Sequence, residues 1–110
     1  MSRKALPQRR YSETFNVVFP PGGNKTYAVT LGCYADGRIG EVFLTSHGQV
    51  GSQADLAARD TAILISMALQ HGAPLSRLSR AMTLDASGRP EGLAGVVLPL
   101  LLEWEKRAQG

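Results

Sequence analysis

The chain has almost no cysteine. Cys33 stands alone among 110 residues, which excludes an intramolecular disulfide and a cysteine-built zinc site. A lone thiol in such a chain is expected to be a small buried hydrophobe. Histidine is nearly as scarce, with only His47 and His71. They are far apart in sequence and lack ligand spacing, so no intrinsic metal or other cofactor is expected. Long apolar runs are also missing. One apolar run, Ala62 to Leu69, is too short to span a bilayer. The N-terminus is basic, but no apolar segment of signal-peptide type follows it. A cytoplasmic protein without membrane contact is the expectation. Acid is absent from the first ten residues, which hold Arg3, Lys4, Arg9 and Arg10. The other hundred residues carry eight basic against nine acidic side chains, a balance of −1. The overall charge of +3 therefore belongs to the N-terminal segment.

What remains is an ordinary globular composition, 44% hydrophobic and 19% charged, enough for one modest core. Its centre is the stretch from Gly51 to Gly72, which reads as a single helix. Ser52 suits the N-cap, and Asp55 stands three residues on, as a capping-box acid would. His71-Gly72 followed by Pro74 stops it. Between Ala62 and Leu69 only Ser66 interrupts the apolar residues. That pattern predicts a buried helix wrapped by the rest of the chain. It also predicts that Ile63→Asp or Leu64→Asp prevents folding.

Before the helix come three strand patterns. Glu13 to Phe19 alternates and ends at Pro20-Pro21-Gly22-Gly23-Asn24. Lys25 to Tyr34 puts Tyr27, Val29, Leu31 and Cys33 on one face. Asp36-Gly37 marks a tight hairpin, and Arg38 to Thr45 follows. On that third strand, alternation puts Ile39 and Phe43 on one side and Val42 and Leu44 on the other. The predicted class is α+β: a three-stranded antiparallel meander packed on a buried central helix, followed by two further helices. The first of these spans Pro74 to Met82, with Leu75, Leu78 and Met82 inward. A polar connector, Thr83 to Pro90, leads to the second. This last helix starts near Pro90 and carries Leu93, Val96, Val97, Leu100, Leu101 and Trp104. Pro99 is expected to kink or restart it. Residues 1–10 are expected to form a flexible basic arm, dispensable for folding, and 11–110 a single domain.

Chemistry is thinly represented. His71 at a helix C-terminus is explained by the helix dipole. Asp55 and Asp60 share no helix face, and no nucleophile–base pair or dinucleotide fingerprint occurs. Gly48 to Ser52 runs into a helix N-terminus able to attract anions. Asp55 already supplies negative charge there, so an ordinary capped start is expected. No catalytic residue is predicted.

The order of elements adds information. The segment Tyr34-Ala-Asp-Gly-Arg-Ile-Gly-Glu-Val-Phe-Leu44 leads to Gly51-Ser52, then to a helix ending Ser66-Met-Ala-Leu-Gln-His-Gly-Ala-Pro-Leu75. From Tyr11 to Trp104 this resembles the TSCPD domain family. In particular it resembles the C-terminal region of adenosylcobalamin-dependent ribonucleotide reductases and small stand-alone homologues. The family takes its name from a Thr-Ser-Cys-Pro-Asp motif near the start of the central helix. Here the matching region reads Ala58-Arg-Asp-Thr-Ala62, without cysteine or proline, so no metal or redox role comes across. The reductase's catalytic machinery lies outside such a domain. The resemblance implies a non-catalytic interaction module.

Two readings follow. The first is an accessory module that binds another protein, most simply a second copy. Surplus apolar residues on the last helix make Val96, Leu100 and Trp104 candidate contacts of a homodimer. The alternative is a nucleic-acid- or nucleotide-associated protein contacting phosphates or an acidic partner through Arg3, Lys4, Arg9 and Arg10, with Tyr11 as a stacking group.

Overall fold

The computed structural model describes residues 2–21, 23–48 and 50–109. Three strands come first: β1 (Ser12–Phe19), β2 (Lys25–Cys33) and β3 (Ile39–Ser46). Three helices follow: α1 (Gln53–Gln70), α2 (Leu75–Ala81) and α3 (Leu93–Gln109). The strands form one antiparallel sheet in the order β1-β2-β3, so the α+β class and the meander stand as expected from the alternation. Phe15 pairs with Val29 and Val29 with Leu44. This aligns the apolar alternate positions of all three strands on one face.

That face carries the core. Val17, Val29, Leu31, Val42 and Leu44 meet Val97, Leu98 and Leu101 of α3 and Leu75 of α2, all buried. Cys33 is buried among them as a free thiol, and burial pushes its pKa up. The other face of the sheet stays open, with Val18 and Phe43 half-exposed.

Strand three departs from simple alternation. Gly32 pairs with Glu41, but Cys33 pairs with Ile39, so Gly40 is an extra residue. This bulge turns Ile39 into the core and leaves Phe43 outside. The two residues do not share a side as alternation predicted. Glycine is required at the bulge because a Cβ on Gly40 would run into the Tyr34 ring and Leu6.

Helix α1 is capped as its sequence implies. Ser52 Oγ accepts the Asp55 N–H at 3.2 Å. At the other end Gly72 takes φ 95°, and the Gly72 and Ala73 amides bond back to the Leu69 and Ala68 carbonyls. The expectation that α1 is buried all round is corrected. Ile63 and Leu64 are 55% and 68% exposed, and Met67 and Leu56 are also more than half exposed. The helix packs along β3 with one face only, through Ala58, Ala62 and Ile65. Helices α2 and α3 cover the sheet rather than α1, so among the described residues nothing wraps its outer flank.

Two smaller corrections concern α3. It begins at Leu93 rather than at Pro90, and it runs through Pro99 without a restart. Pro99 lies on the exposed side of the helix. Ahead of it, Asp85 organises the connector by accepting the Ser87 and Arg89 amides at 2.8 and 2.9 Å.

Candidate functional site

The contact between α1 and β3 is made by a stripe of side chains. Asp55, Ser66 and Gln70 lie 11 and 4 residues apart, within about one sixth of a helical turn of each other. Each reaches the outer edge of β3. The Ser46 N–H donates to Asp55 Oδ1 at 3.1 Å. The Val42 N–H donates to Ser66 Oγ at 2.8 Å, and Ser66 Oγ donates to the Val42 carbonyl at 3.1 Å. Gln70 Nε2 donates to the Gly40 carbonyl at 3.0 Å. A sheet edge is otherwise a row of unmet backbone groups. Here a helix flank meets four of them, on Gly40, Val42 and Ser46.

Asp55 does more than cap. Its carboxylate also accepts the Gly51 N–H at 3.1 Å and Arg59 Nε at 3.0 Å, and the side chain is almost wholly buried. The Gly51 and Ser46 amides, then Arg59, hold its pKa below the usual carboxylate range. Charge at this helix start is thereby supplied from within. Of the anion-attracting segment Gly48 to Ser52, Gln49 lies outside the described residues, and the Gly51 amide is committed to Asp55.

Next to that stripe around the helix, Leu56, Ile63 and Met67 recur at spacings of seven and four and so form a second stripe, an apolar one. Phe43, on the open face of β3, lies beside it. Between them is a groove of about 600 Å³, lined by Phe43, Ile63 and Met67 and also by Arg3, Arg59 and His71. His71 Nδ1 lies 2.8 Å from the Met67 carbonyl, which closes the helix end. Phe43, Ile63 and Met67 supply its apolar surface and Ser66 and Gln70 a polar one; Arg59 is paired with Asp55, whereas Arg3 bonds only to the neutral Gln70. Nothing in this arrangement pairs a nucleophile with a base. Among the described residues no cluster of three His, Cys, Asp or Glu side chains could hold a metal ion. No helix among them is long and apolar enough to cross a membrane.

The four basic residues of the N-terminal segment have different surroundings. The Lys4 amide donates to the Gln70 carbonyl at 2.7 Å, and the Lys4 carbonyl accepts Tyr34 Oη at 2.6 Å. Its ammonium lies 5.0 Å from the centre of the Tyr34 ring. Arg3 Nε donates to Gln70 Oε1 at 2.5 Å. Arg10 pairs with Glu41 at 2.5 Å. Arg9 is exposed. Tyr11 stacks on Trp104 with ring centres 6.1 Å apart. The segment therefore lies against Gln70, Tyr34 and Glu41 instead of standing clear of the domain.

The predicted oligomer contacts are likewise distributed. Val96 packs against the core, half-buried. Trp104 is half-buried, and its Nε1–H donates to Glu13 Oε2. Leu100 is exposed. The apolar surplus lies mainly on α1, where sequence reasoning had placed core. The 7-and-4 spacing of Leu56, Ile63 and Met67 was the signal for it.

A model of the TSCPD domain matches residues 3–97, which includes most of the N-terminal segment as well as the sheet, α1 and α2. The chain belongs to the TSCPD domain family. Over 81 residues it is 40% identical to the vitamin B12-dependent ribonucleotide reductase of Agrobacterium fabrum. Over the same length it is 38% identical to that of Bradyrhizobium diazoefficiens. Each match takes in 74% of this chain but only 6% of the reductase. No solved structure matches it. In this TSCPD domain Ala58 and Ala62 are buried in the core, while Arg59 and Asp60 between them are exposed.

Proposed function

We propose that this TSCPD domain is a non-catalytic interaction module whose working surface is the outer flank of α1 with Phe43. The observation that carries the reading is the exposure of Leu56, Ile63, Leu64 and Met67 on a helix whose opposite face is already fully used. Contiguous apolar surface of this kind marks a binding site on a soluble domain. The matched region is a small part of a much longer chain in the reductases, which supports a protein as the partner of this flank. The partner surface is accordingly a protein of reductase type, apolar at its centre and acidic at its margin to suit Arg3.

The test is binding in trans. The Agrobacterium fabrum reductase is prepared whole and without the 81 matched residues, and each form is titrated with this chain. Binding to the shortened form, and little or none to the whole one, is expected, because the resident domain occupies the site. Absence of binding to the shortened form contradicts the reading.

Nucleic-acid association through Arg3, Lys4, Arg9 and Arg10 draws less support. Arg10 is paired with Glu41 and Arg3 is engaged by Gln70, which reduces the cationic groups available to phosphates.

A further inference from the structure

The two edges of the sheet are treated differently. In antiparallel pairing, alternate residues of an edge strand bond to the neighbour and the others face outward. The Cys33 N–H donates to the Tyr11 carbonyl at 3.0 Å, and the register continues with Glu13 opposite Leu31, Phe15 opposite Val29 and Val17 opposite Tyr27. The odd residues of β1 therefore bond to β2. Ser12, Thr14, Asn16 and Val18 turn their N–H and C=O groups outward. On β3 outward groups of Gly40, Val42 and Ser46 are met by Gln70, Ser66 and Asp55, while among the described residues those of Leu44, between them, are left without a partner. On β1, among the described residues, no such partner meets them.

This open edge has little of the usual protection. Folded proteins guard edge strands with proline, lysine, inward charges or short length. Strand β1 is 8 residues long, SETFNVVF, without proline or a basic residue. Its one charge, Glu13, is taken up by the Trp104 indole. Alongside runs a hollow of about 430 Å³ lined by Glu13, Thr14, Phe15 and Asn16 and, from α3, by Leu100, Trp104 and the Glu103–Arg107 ion pair.

We infer that β1 is the interface of a two-fold dimer, in which the β1 strands of two copies pair antiparallel and join two sheets into one. This goes beyond the interaction-module reading and uses a different surface from the α1 flank, so either can fail alone. The occupant follows from self-complementarity. Only even residues face outward, so even must pair with even. Setting Thr14 against Asn16 of the copy also sets Ser12 against Val18. Every outward group from Ser12 to Val18 then finds a partner. In the same register Phe15 meets its own copy on the two-fold axis, on the core face, and Glu13 stands opposite Val17. No like charges are opposed, which is the usual obstacle to self-pairing. A strand edge alone is smaller than the roughly 800 Å² per partner of a stable complex. The hollow with Leu100 and Phe15 lies next to the axis and extends the contact. Leu100 and Trp104 thus enter the interface from beside the strand.

The experiment is light scattering on the full chain across a concentration series, with amide hydrogen exchange on the same samples. The wild type is expected at twice 11.8 kDa, with the Thr14, Asn16 and Val18 amides protected when concentrated and unprotected on dilution. Asn16→Pro is expected to halve the mass. The Asn16 N–H points away from β2, so proline there costs no bond of the ladder. If that variant fails to fold, the wild-type exchange pattern decides. A monomer at every concentration overturns the inference. So does a dimer in which those three amides exchange freely, and a dimer that Ile63→Glu dissociates while Asn16→Pro does not.

Discussion

Ser66 on α1 holds both backbone groups of Val42 on β3: its hydroxyl accepts the N–H at 2.8 Å and donates to the carbonyl at 3.1 Å. One side chain thus does for this residue what a fourth strand would do. Replacement by alanine leaves a part-buried amide and carbonyl without partners. Ser66→Ala is expected to lower stability by about 1–3 kcal/mol, measured by urea unfolding. An unchanged midpoint would mean that water replaces the hydroxyl at no cost.

Asp55 gives the fold a dependence on acid. Its folded pKa lies below the usual carboxylate value, so the unfolded state binds the proton more readily. The stabilisation is therefore fully present above the unfolded pKa of about 4 and is lost as pH falls through the folded value. Asp36 and Asp85 are lowered by their own turn contacts and contribute in the same direction. Asp55→Asn is expected to destabilise the protein at neutral pH and to flatten the acid limb of its stability curve. Melting scans from neutral pH to pH 3 would check both. An acid limb of unchanged steepness would assign the dependence to the other carboxylates.

The N-terminal segment supplies a third expectation. Leu6 lies against Gly40 where a Cβ would stand, and Lys4 bonds to both Gln70 and Tyr34. Removing residues 1–10 uncovers the bulge and the Tyr34 ring. The melting temperature should fall by more than the 4–8 °C that about 1 kcal/mol moves in a domain of this size. A smaller shift would support the dispensable arm expected from composition.

The elements were legible because each strand and helix shows its own period. The alternation of Phe15, Val17 and Phe19, and of Tyr27, Val29 and Leu31, gave the meander. Ser52 and Gly72 gave the ends of α1. What alternation could not show was the extra residue at Gly40, since a bulge shifts the phase without changing composition. The apolar run of α1 misled for a different reason: hydrophobicity alone does not distinguish a buried side chain from one on an uncovered flank. Asp55, Ser66 and Gln70 fall on one line by spacing alone. That line pointed to the inward face, but polar residues are not ordinarily read as inward. The candidate site was hidden by the same reversal.

This reversal has a direct consequence for mutation. Ile63→Asp and Leu64→Asp are expected to melt near the wild type, because each charge stands in water. Leu98→Asp, at a position with no exposed surface, is expected not to fold. Circular dichroism melts of the three variants would check the assignment. Unfolded Ile63→Asp would return α1 to the interior.

The interaction surface is tested most directly by titrating Ile63→Glu, shown to melt like the wild type, into the Agrobacterium fabrum reductase that lacks the 81 matched residues. An uncovered apolar flank used for docking predicts that the wild type binds and the variant loses at least about tenfold in affinity, or 1.4 kcal/mol. Equal affinity of the two proteins would contradict it.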